Sequence, residues 1–140
     1  MMAEPLQTGM TFEKTITVTE ELAARHLVGQ GVAVLSTPEL VRFVEVCCVE
    51  GIRPYLQNGQ DSVGMRIDIR HLAATPVGMR ANAVCKLLEV DRRRLRFSFE
   101  VRDELDKIAE GEHERFIIDR DKKRQRLQDK MARWKPRDEV

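Results

Sequence analysis

The chain has 140 residues, of which 42% are hydrophobic and 34% charged, with a formal net charge of +1. This balance fits one soluble globular domain and excludes a disordered polyelectrolyte. No apolar run approaches the roughly 20 residues that cross a bilayer, and the first ten residues lack a signal-peptide pattern, so we expect a cytoplasmic protein without membrane contact. An aromatic content of 5% and a near-neutral charge argue against nucleic-acid partners.

The three cysteines, Cys47, Cys48 and Cys85, form no CxxC pair. This spacing favours neither a disulfide framework nor a zinc site, so we predict core residues in a reducing compartment and no metal site. Adjacent helical positions diverge by about 100°, which also makes the first two poor nucleophile candidates.

Charge divides the chain unevenly, because residues 120–140 hold nine basic and four acidic residues. In this tail Leu127, Met131 and Trp134 recur at helical spacing, which predicts a helix docked by one apolar stripe. We therefore divide the chain into a flexible N-terminal segment (1–11), a domain (12–119) and a basic helical tail (120–140).

The domain opens with FEKTITVT, a β-branched run that predicts a strand, and TEELAARHL then predicts a short helix in a lid-like segment. A long helix begins at Ser36 or Thr37, both good N-caps. Pro38 suits its first turn, and Glu39 stands where a capping box needs it.

The long helix has one broad apolar face and a carboxylate at its margin. Helical periodicity places Glu45 between that face and the polar one, although its neighbours in sequence are valines, a phenylalanine and cysteines. The apolar face comprises Leu40, Phe43, Val44, Cys47, Cys48 and Gly51.

Four strands follow, each with a period-two pattern. The second strand of the chain is expected to turn Val63, Met65, Ile67, Ile69 and His71 inward. The third has the inward set Met79, Ala81, Ala83, Cys85 and Leu87, with a bulge at Leu88 and Glu89. The fourth has the inward set Leu95, Phe97, Phe99 and Val101. The fifth has the inward set Ala109, Gly111, His113, Arg115 and Ile117.

This order of elements predicts an α+β domain in which one long helix covers one face of an antiparallel sheet. Four stretches, VLSTPELVRFVE, SVGMRIDIRHLAATPVGMR, RLRFSFEVRDE and IAEGEHERFIID, resemble the hot-dog thioesterases of the fluoroacetyl-CoA thioesterase-like family. The resemblance covers about residues 8–119. Its most specific part is a Thr, Glu and His at family spacing, here Thr37, Glu45 and His71.

The resemblance implies a hot-dog fold, in which a curved antiparallel sheet wraps around a long central helix, and hydrolysis of short or small acyl-CoA thioesters. It also implies a homodimer or higher oligomer, with sheets joined edge to edge and sites near the subunit boundary. Coenzyme A then enters only as part of the substrate, without a separate cofactor.

The same resemblance makes Thr37, Glu45 and His71 the catalytic candidates. Glu45 either attacks the thioester carbonyl to give an anhydride or works with His71 to activate water. Gly64 matches a family glycine that approaches the acyl group. Arg115 either borders the acyl pocket or pairs with an acid such as Glu45.

Plainer readings stay open for each candidate: Thr37 as an N-cap alone, Glu45 paired with Arg42, and His71 as a core histidine. A non-catalytic acyl-CoA-binding protein and an enoyl-CoA hydratase on the same fold are the alternative functions.

The substrate is only partly readable from the sequence. The fluoroacetyl-specific member carries lid phenylalanines, which TEELAARHLVGQGVAVLS lacks, so we do not expect fluoroacetyl selectivity. The candidates for coenzyme A phosphates are Arg92, Arg93, Lys122 and Lys123.

Overall fold

The computed structural model describes residues 4–134; predictions for residues 1–3 and 135–140 lie outside this range. The five strands are β1 (Thr11–Thr17), β2 (Gln60–His71), β3 (Arg80–Asp91), β4 (Arg94–Arg102) and β5 (Lys107–Asp119). The two α-helices are α1 (Thr37–Ile52) and α2 (Arg120–Arg133). Short 3-10 turns cover Glu20–Leu22, Arg25–Leu27 and Arg53–Tyr55.

The strands form one antiparallel sheet in the order β1-β3-β4-β5-β2, which leaves β1 and β2 at its edges. Helix α1 covers the inner face and supplies much of the core. The α+β prediction, with one long helix on an antiparallel sheet, is confirmed. Between residues 4 and 134, neither helix combines the length and apolarity needed to span a bilayer.

Helix α1 begins as its sequence predicts. Ser36 is the N-cap, and its Oγ accepts a hydrogen bond from the backbone N–H of Glu39 at 3.3 Å. The apolar face is buried, and it includes Leu40, Phe43, Val44, Cys47, Cys48 and Ile52. Gly51 lies directly against the ring of Phe12, where a β-carbon would clash.

A β-bulge at Met65 corrects the predicted face of β2. The pairing with β5 shifts between Gly64 and Arg66, so inward positions are even-numbered before the bulge and odd-numbered after it. Ser62 is buried, whereas the Met65 side chain is 55% exposed. The inward prediction is therefore wrong for Val63 and Met65, although it holds for Ile67 and Ile69, which pack against the core.

The other strands follow their predicted alternation. The register of β3 against β4 shifts between Leu87 and Glu89, which confirms the predicted bulge. The inward residues of β4, Leu95, Phe97, Phe99 and Val101, are buried. His113 and Arg115 of β5 are buried too, which places two polar side chains under α1.

Two local predictions are wrong. Residues 19–27 form two 3-10 turns instead of a helix, because the Ala24 N–H donates to the Val34 carbonyl at 2.9 Å rather than to a preceding turn. Helix α2 exists, but its stripe is not docked: Leu127, Met131 and Trp134 are 53–60% exposed. Helix α1 covers the inner face of the sheet, and none of the described α2 residues is buried.

The N-terminal residues that the structure describes before β1 contain no helix or strand. Leu6 and Met10 nevertheless pack against the core, and the N–H of Leu87 donates to the Met10 carbonyl at 2.8 Å. This stretch continues the pairing of β1 with β3.

Candidate active site

Thr37 and His71 come together where the start of α1 meets the end of β2. Thr37 Oγ1 lies 2.8 Å from His71 Nδ1, although 34 residues separate them in sequence. Position 37 is the first residue of the helix, and position 71 is the last residue of the strand. The contact therefore depends on how α1 lies across the sheet.

Both residues line a cleft of about 710 Å³ between the 3-10 turns, the start of α1 and the segment after β2. His71 Nε2 is buried and has no hydrogen-bond partner within residues 4–134. Burial lowers the pKa of His71 from its ordinary value of 6.5, and the backbone of Ala73 opposes the shift. The imidazole is thus mainly neutral at pH 7, with one nitrogen still able to bind a ligand.

Glu45 lies in a second cluster, against β5 and the start of β2. Its Oε2 is 3.3 Å from NH1 of Arg115, whose side chain is only 4% exposed, whereas the Glu45 side chain is 40% exposed. The Arg115 Nε donates to Ser62 Oγ at 2.8 Å, and its NH2 donates to the Ser62 carbonyl at 3.0 Å. These bonds hold the guanidinium fork in one orientation toward the carboxylate.

His113 completes the support of Arg115. Its Nδ1 is 2.8 Å from the Arg66 carbonyl, an acceptor, so Nδ1 carries the proton and Nε2 accepts from Arg115 NH1 at 3.2 Å. Burial lowers the pKa of His113, in accord with a neutral ring. Burial also lowers the pKa of Arg115, while Glu45 opposes that shift. Arg115 is the only positive charge in this small cluster, and Glu45 is its counter-ion.

Gly64 leaves room for the Glu45 carboxylate. A β-carbon at position 64 would lie 2.8 Å from Glu45 Oε2 and 3.6 Å from both Arg115 NH1 and His113 Cε1. Such a distance to an oxygen is shorter than van der Waals contact allows, so any larger residue would displace the carboxylate. The structure thus brings Gly64, Arg115 and Glu45 together.

Glu45 and His71, which would have to act together if they activate water, do not meet in the described chain. No hydrogen bond joins them in the part of the chain that the structure describes. Thr37 and Glu45 are eight residues apart on α1, or about 12 Å along the helix. Gly64 and His71 are seven residues apart on β2, or about 20 Å along the strand. The chain therefore places these candidates in two separate clusters, Thr37 with His71 and Glu45 with Arg115.

Sequence reasoning missed Ser62, which anchors Arg115 through both its hydroxyl and its carbonyl. Simple alternation had turned Ser62 outward, and only the bulge at Met65 turns it inward. The proposed Glu45–Arg42 pair does not form within residues 4–134, because the Glu45 carboxylate turns toward Arg115 instead.

The cysteines and acids offer no competing centre. Cys47, Cys48 and Cys85 are free and buried, as predicted for core residues. A hydrogen bond from Cys85 and burial raise the pKa of Cys47 far above that of an ordinary thiol. Among residues 4–134, no group of three or more His, Cys, Asp or Glu side chains could hold a metal ion.

A five-stranded antiparallel sheet wrapped around one long helix is the hot-dog fold. The chain belongs to the fluoroacetyl-CoA-specific thioesterase family, whose model matches residues 18–121.

Two solved structures and one sequence relative support this assignment. The fluoroacetyl-CoA thioesterase of Streptantibioticus cattleyicolor is 32% identical over 123 residues, which cover 84% of this chain and 88% of that protein. A mutant of the fluoroacetyl-CoA-specific thioesterase superposes with a TM-score of 0.84 at 30% identity, covering 91% of this chain and 98% of the other. The same mutant in complex with fluoroacetate and CoA gives a TM-score of 0.78 at 32% identity, with 84% and 98% covered.

Proposed function

We propose that the protein hydrolyses short-chain acyl-CoA thioesters with Thr37, Glu45 and His71, in a site that a second copy of the chain completes. Acyl-CoA thioester hydrolysis is the reaction of the family to which the chain belongs. The observation that carries the proposal is the 2.8 Å contact between Thr37 and His71 in the wall of the cleft.

A thioester carbonyl is already reactive toward water. Hydrolysis then needs a positioned nucleophile, a donor for the oxyanion and a route for the proton. Protein side chains and N–H groups supply all three, so the proposed reaction uses no metal and no cofactor besides the coenzyme A of the substrate.

His71 and Thr37 would polarise the acyl group. In a neutral imidazole whose Nδ1 accepts the Thr37 hydroxyl proton, the ring proton lies on Nε2. That N–H is the unpartnered buried atom of the site. The Nε2–H of His71 would donate to the thioester oxygen as negative charge develops there. Because this group has no partner in residues 4–134, no hydrogen bond has to break first.

The first turn of α1 offers a second donor. Pro38 has no N–H, the Glu39 N–H donates to Ser36 Oγ, and the Leu40 N–H donates to the Ser36 carbonyl at 3.0 Å. Of the first four residues of the helix, Thr37 alone keeps an N–H without a protein acceptor in residues 4–134. The positive end of the helix dipole strengthens this donor.

Glu45 would act as the base. Its carboxylate takes a proton from water, the hydroxide adds to the carbonyl carbon, and the C–S bond then breaks to release CoA, whose thiolate takes the proton back. Single-turnover hydrolysis in water labelled with heavy oxygen tests this route. Label in the released carboxylic acid alone is expected for the base, and trapping with hydroxylamine should then give no Glu45 hydroxamate. Label in the Glu45 carboxylate would show the anhydride route instead.

A homodimer would unite the Thr37–His71 cluster of one subunit with the Glu45–Arg115 cluster of the other. Strand β2 is an edge strand, so an antiparallel copy of it can pair there. A register centred on Asp68, with the bulge at Met65 taking up one residue, sets Gly64 opposite the partner subunit's His71. Both side-chain positions face α1, and directly opposed residues share one face of a sheet. Glu45 then meets the partner subunit's His71 in each of two sites.

A mixed dimer tests this arrangement. Glu45→Gln and His71→Ala subunits carrying different affinity tags are co-expressed, and the heterodimer is purified. If each site uses both subunits, one of its two sites is intact, and the heterodimer retains about half of the wild-type activity. If each site lies within one subunit, both sites are damaged and the heterodimer is as inactive as the parent variants.

Release of free thiol from a panel of short acyl-CoAs tests the function itself. Turnover that disappears in Glu45→Gln and His71→Ala, with the folded structure retained, supports the hydrolase. Binding without thiol release would instead identify an acyl-CoA-binding protein. Addition of water to an enoyl-CoA without thiol release would identify a hydratase.

The residues on the lid side of the cleft bear on the choice of acyl group, and the free cysteines bear on the compartment in which the protein works. The lid side of the cleft has Ala23, Ala24 and Val34 beside Glu21, Arg25 and His26 and, within residues 4–134, no phenylalanine, so we propose a short acyl group without selectivity for fluoroacetyl. The free buried thiols fit a reducing cytoplasm, which we propose as the location.

A further inference from the structure

A small basic pocket lies at the junction of β5 and α2, outside the cleft described above. Its volume is about 280 Å³. The lining residues are Arg93, Phe116, Ile118, Asp119, Lys122, Lys123 and Arg126. Four of these side chains are basic and one is acidic, so the pocket has an excess of positive charge.

Most of that positive charge is free to meet a ligand. Asp119 is shared by Arg93, at 3.1 Å, and Lys122, at 3.7 Å. Lys123 and Arg126 form no ion pair with any residue between positions 4 and 134. Two cations on successive turns of one helix face therefore offer a site for phosphate oxygens.

The floor of the pocket is apolar and aromatic. Phe116 points to the outer face of the sheet and is 38% exposed, beside Ile118. Arg93 is held next to this floor, because its NH1 donates to the Ile117 carbonyl at 3.4 Å. An exposed ring between guanidinium and ammonium groups suits a purine that carries phosphates, since the ring stacks on the base while the cations bind the phosphates.

The pocket lies at the end of β2 that carries Gly64. Phe116 pairs with Val63, the neighbour of Gly64, and Ile118 pairs with Asp61. Three residues of strand separate Asp61 from Gly64, or about 10 Å. The sheet separates an acyl group under Gly64 from a nucleotide on the outer face, so the pantetheine arm must pass round the end of β2 at Gln60, four residues or about 13 Å from Gly64. The extended arm of coenzyme A is long enough to make this turn.

We propose that this pocket binds the adenosine 3′-phosphate and diphosphate end of coenzyme A, with Lys123 and Arg126 on the phosphates and Phe116 against the adenine. The inference rests on the proposed acyl-CoA hydrolysis and assigns the part of the substrate that the catalytic residues do not touch. Neither the family model nor the relatives' descriptions assign these residues.

The experiment compares one acyl group on two carriers. The best acyl-CoA of the thiol-release panel is assayed beside the corresponding acyl-pantetheine, which lacks the nucleotide. We expect the Lys123→Ala/Arg126→Ala variant to raise KM for the acyl-CoA at least tenfold, with kcat unchanged, as loss of charge-assisted phosphate contacts requires. Its kinetics with the acyl-pantetheine should equal those of the wild type.

The matched control removes two cations elsewhere on α2. Arg124→Ala/Arg133→Ala changes the net charge equally, but neither residue lines the pocket. The control should leave KM for the acyl-CoA within twofold of the wild type. An equal rise of KM in the control, or an equal loss with acyl-pantetheine, would overturn the proposal, because either result attributes the effect to general charge or to folding.

A binding measurement separates this proposal from the proposed function. Adenosine 3′,5′-bisphosphate, which has no thioester, is titrated calorimetrically into the wild type and both double variants. Binding that weakens at least tenfold only in Lys123→Ala/Arg126→Ala supports the pocket, even if no acyl-CoA is hydrolysed. Equal affinity for all three proteins, or no binding to the wild type, refutes the pocket even if hydrolysis is found.

Discussion

Replacement of Arg115 by methionine tests whether the buried guanidinium positions Glu45. The side chain makes four polar contacts, at 2.8 and 3.0 Å to Ser62, 3.2 Å to His113 and 3.3 Å to Glu45. Methionine fills similar space but donates to none of them. Activity should therefore fall because the Glu45 carboxylate loses its fixed orientation, and stability should fall because buried acceptors lose their donor.

The expected loss of stability is worked from those contacts. The buried Ser62 carbonyl and His113 Nε2 each lose a donor, at a cost of about 1–3 kcal/mol per group. Glu45 adds little, because its side chain is 40% exposed and water can solvate it. The variant no longer buries a positive charge away from water, which offsets part of this loss. We therefore expect a net loss of about 3 kcal/mol in the free energy of unfolding.

Urea unfolding measures this loss, and kcat and KM for an acyl-CoA measure the effect on Glu45. Arg96→Met is the matched control, because Arg96 pairs with Glu89 and Glu112 on the partly exposed outer face. Its stability should fall by less than about 1 kcal/mol. If Arg115→Met matched the wild type in both stability and kcat, or if the control lost as much, the reasoning about the buried cluster would be wrong.

Three further changes test the remaining contacts. Thr37→Ser should keep most of the activity and Thr37→Ala should lose about 10²-fold in kcat, since only the hydroxyl contacts His71; steady-state assays would contradict this if both variants behaved alike. Gly64→Ala should lower kcat/KM by tenfold or more while the protein still folds, because the new β-carbon displaces the Glu45 carboxylate; unchanged kinetics would show that the carboxylate position is not critical. Burial holds the pKa of both His71 and His113 below 6.5 in the folded state, so the unfolded state binds more protons below that pH. The free energy of unfolding should therefore decrease as the pH falls from about 6.5. Urea titrations that give the same free energy at pH 7 and pH 5 would refute this prediction.

Local rules account for most of the architecture. Ser36, Pro38 and Glu39 mark the start of α1 because capping requires only groups within one turn. Strict alternation along β4 identifies its buried face because successive side chains of a strand point to opposite sides. These patterns depend on neighbours a few residues away, so they can be predicted from the sequence.

The exceptions depend on distant partners. Whether β2 bulges at Met65 depends on its register with β5, and only the bulge brings Ser62 under Arg115. The exposure of Leu127 likewise depends on where α2 lies after β5, since none of its described residues reaches the core under α1. The hydrophobic pattern alone cannot predict the bulge or the exposure, because both depend on contacts between residues that are far apart in the sequence.

The amino-acid sequence by itself determined the element order, the inward faces of most strands, and the Thr, Glu and His types that suggest thioester chemistry. Only the tertiary structure decided which of these side chains meet. Thr37 reaches His71, whereas Glu45 is held by Arg115 at the other end of β2. The physical reason is geometric: helix rise and strand rise fix positions along each element, but the packing of α1 on the sheet fixes which positions coincide.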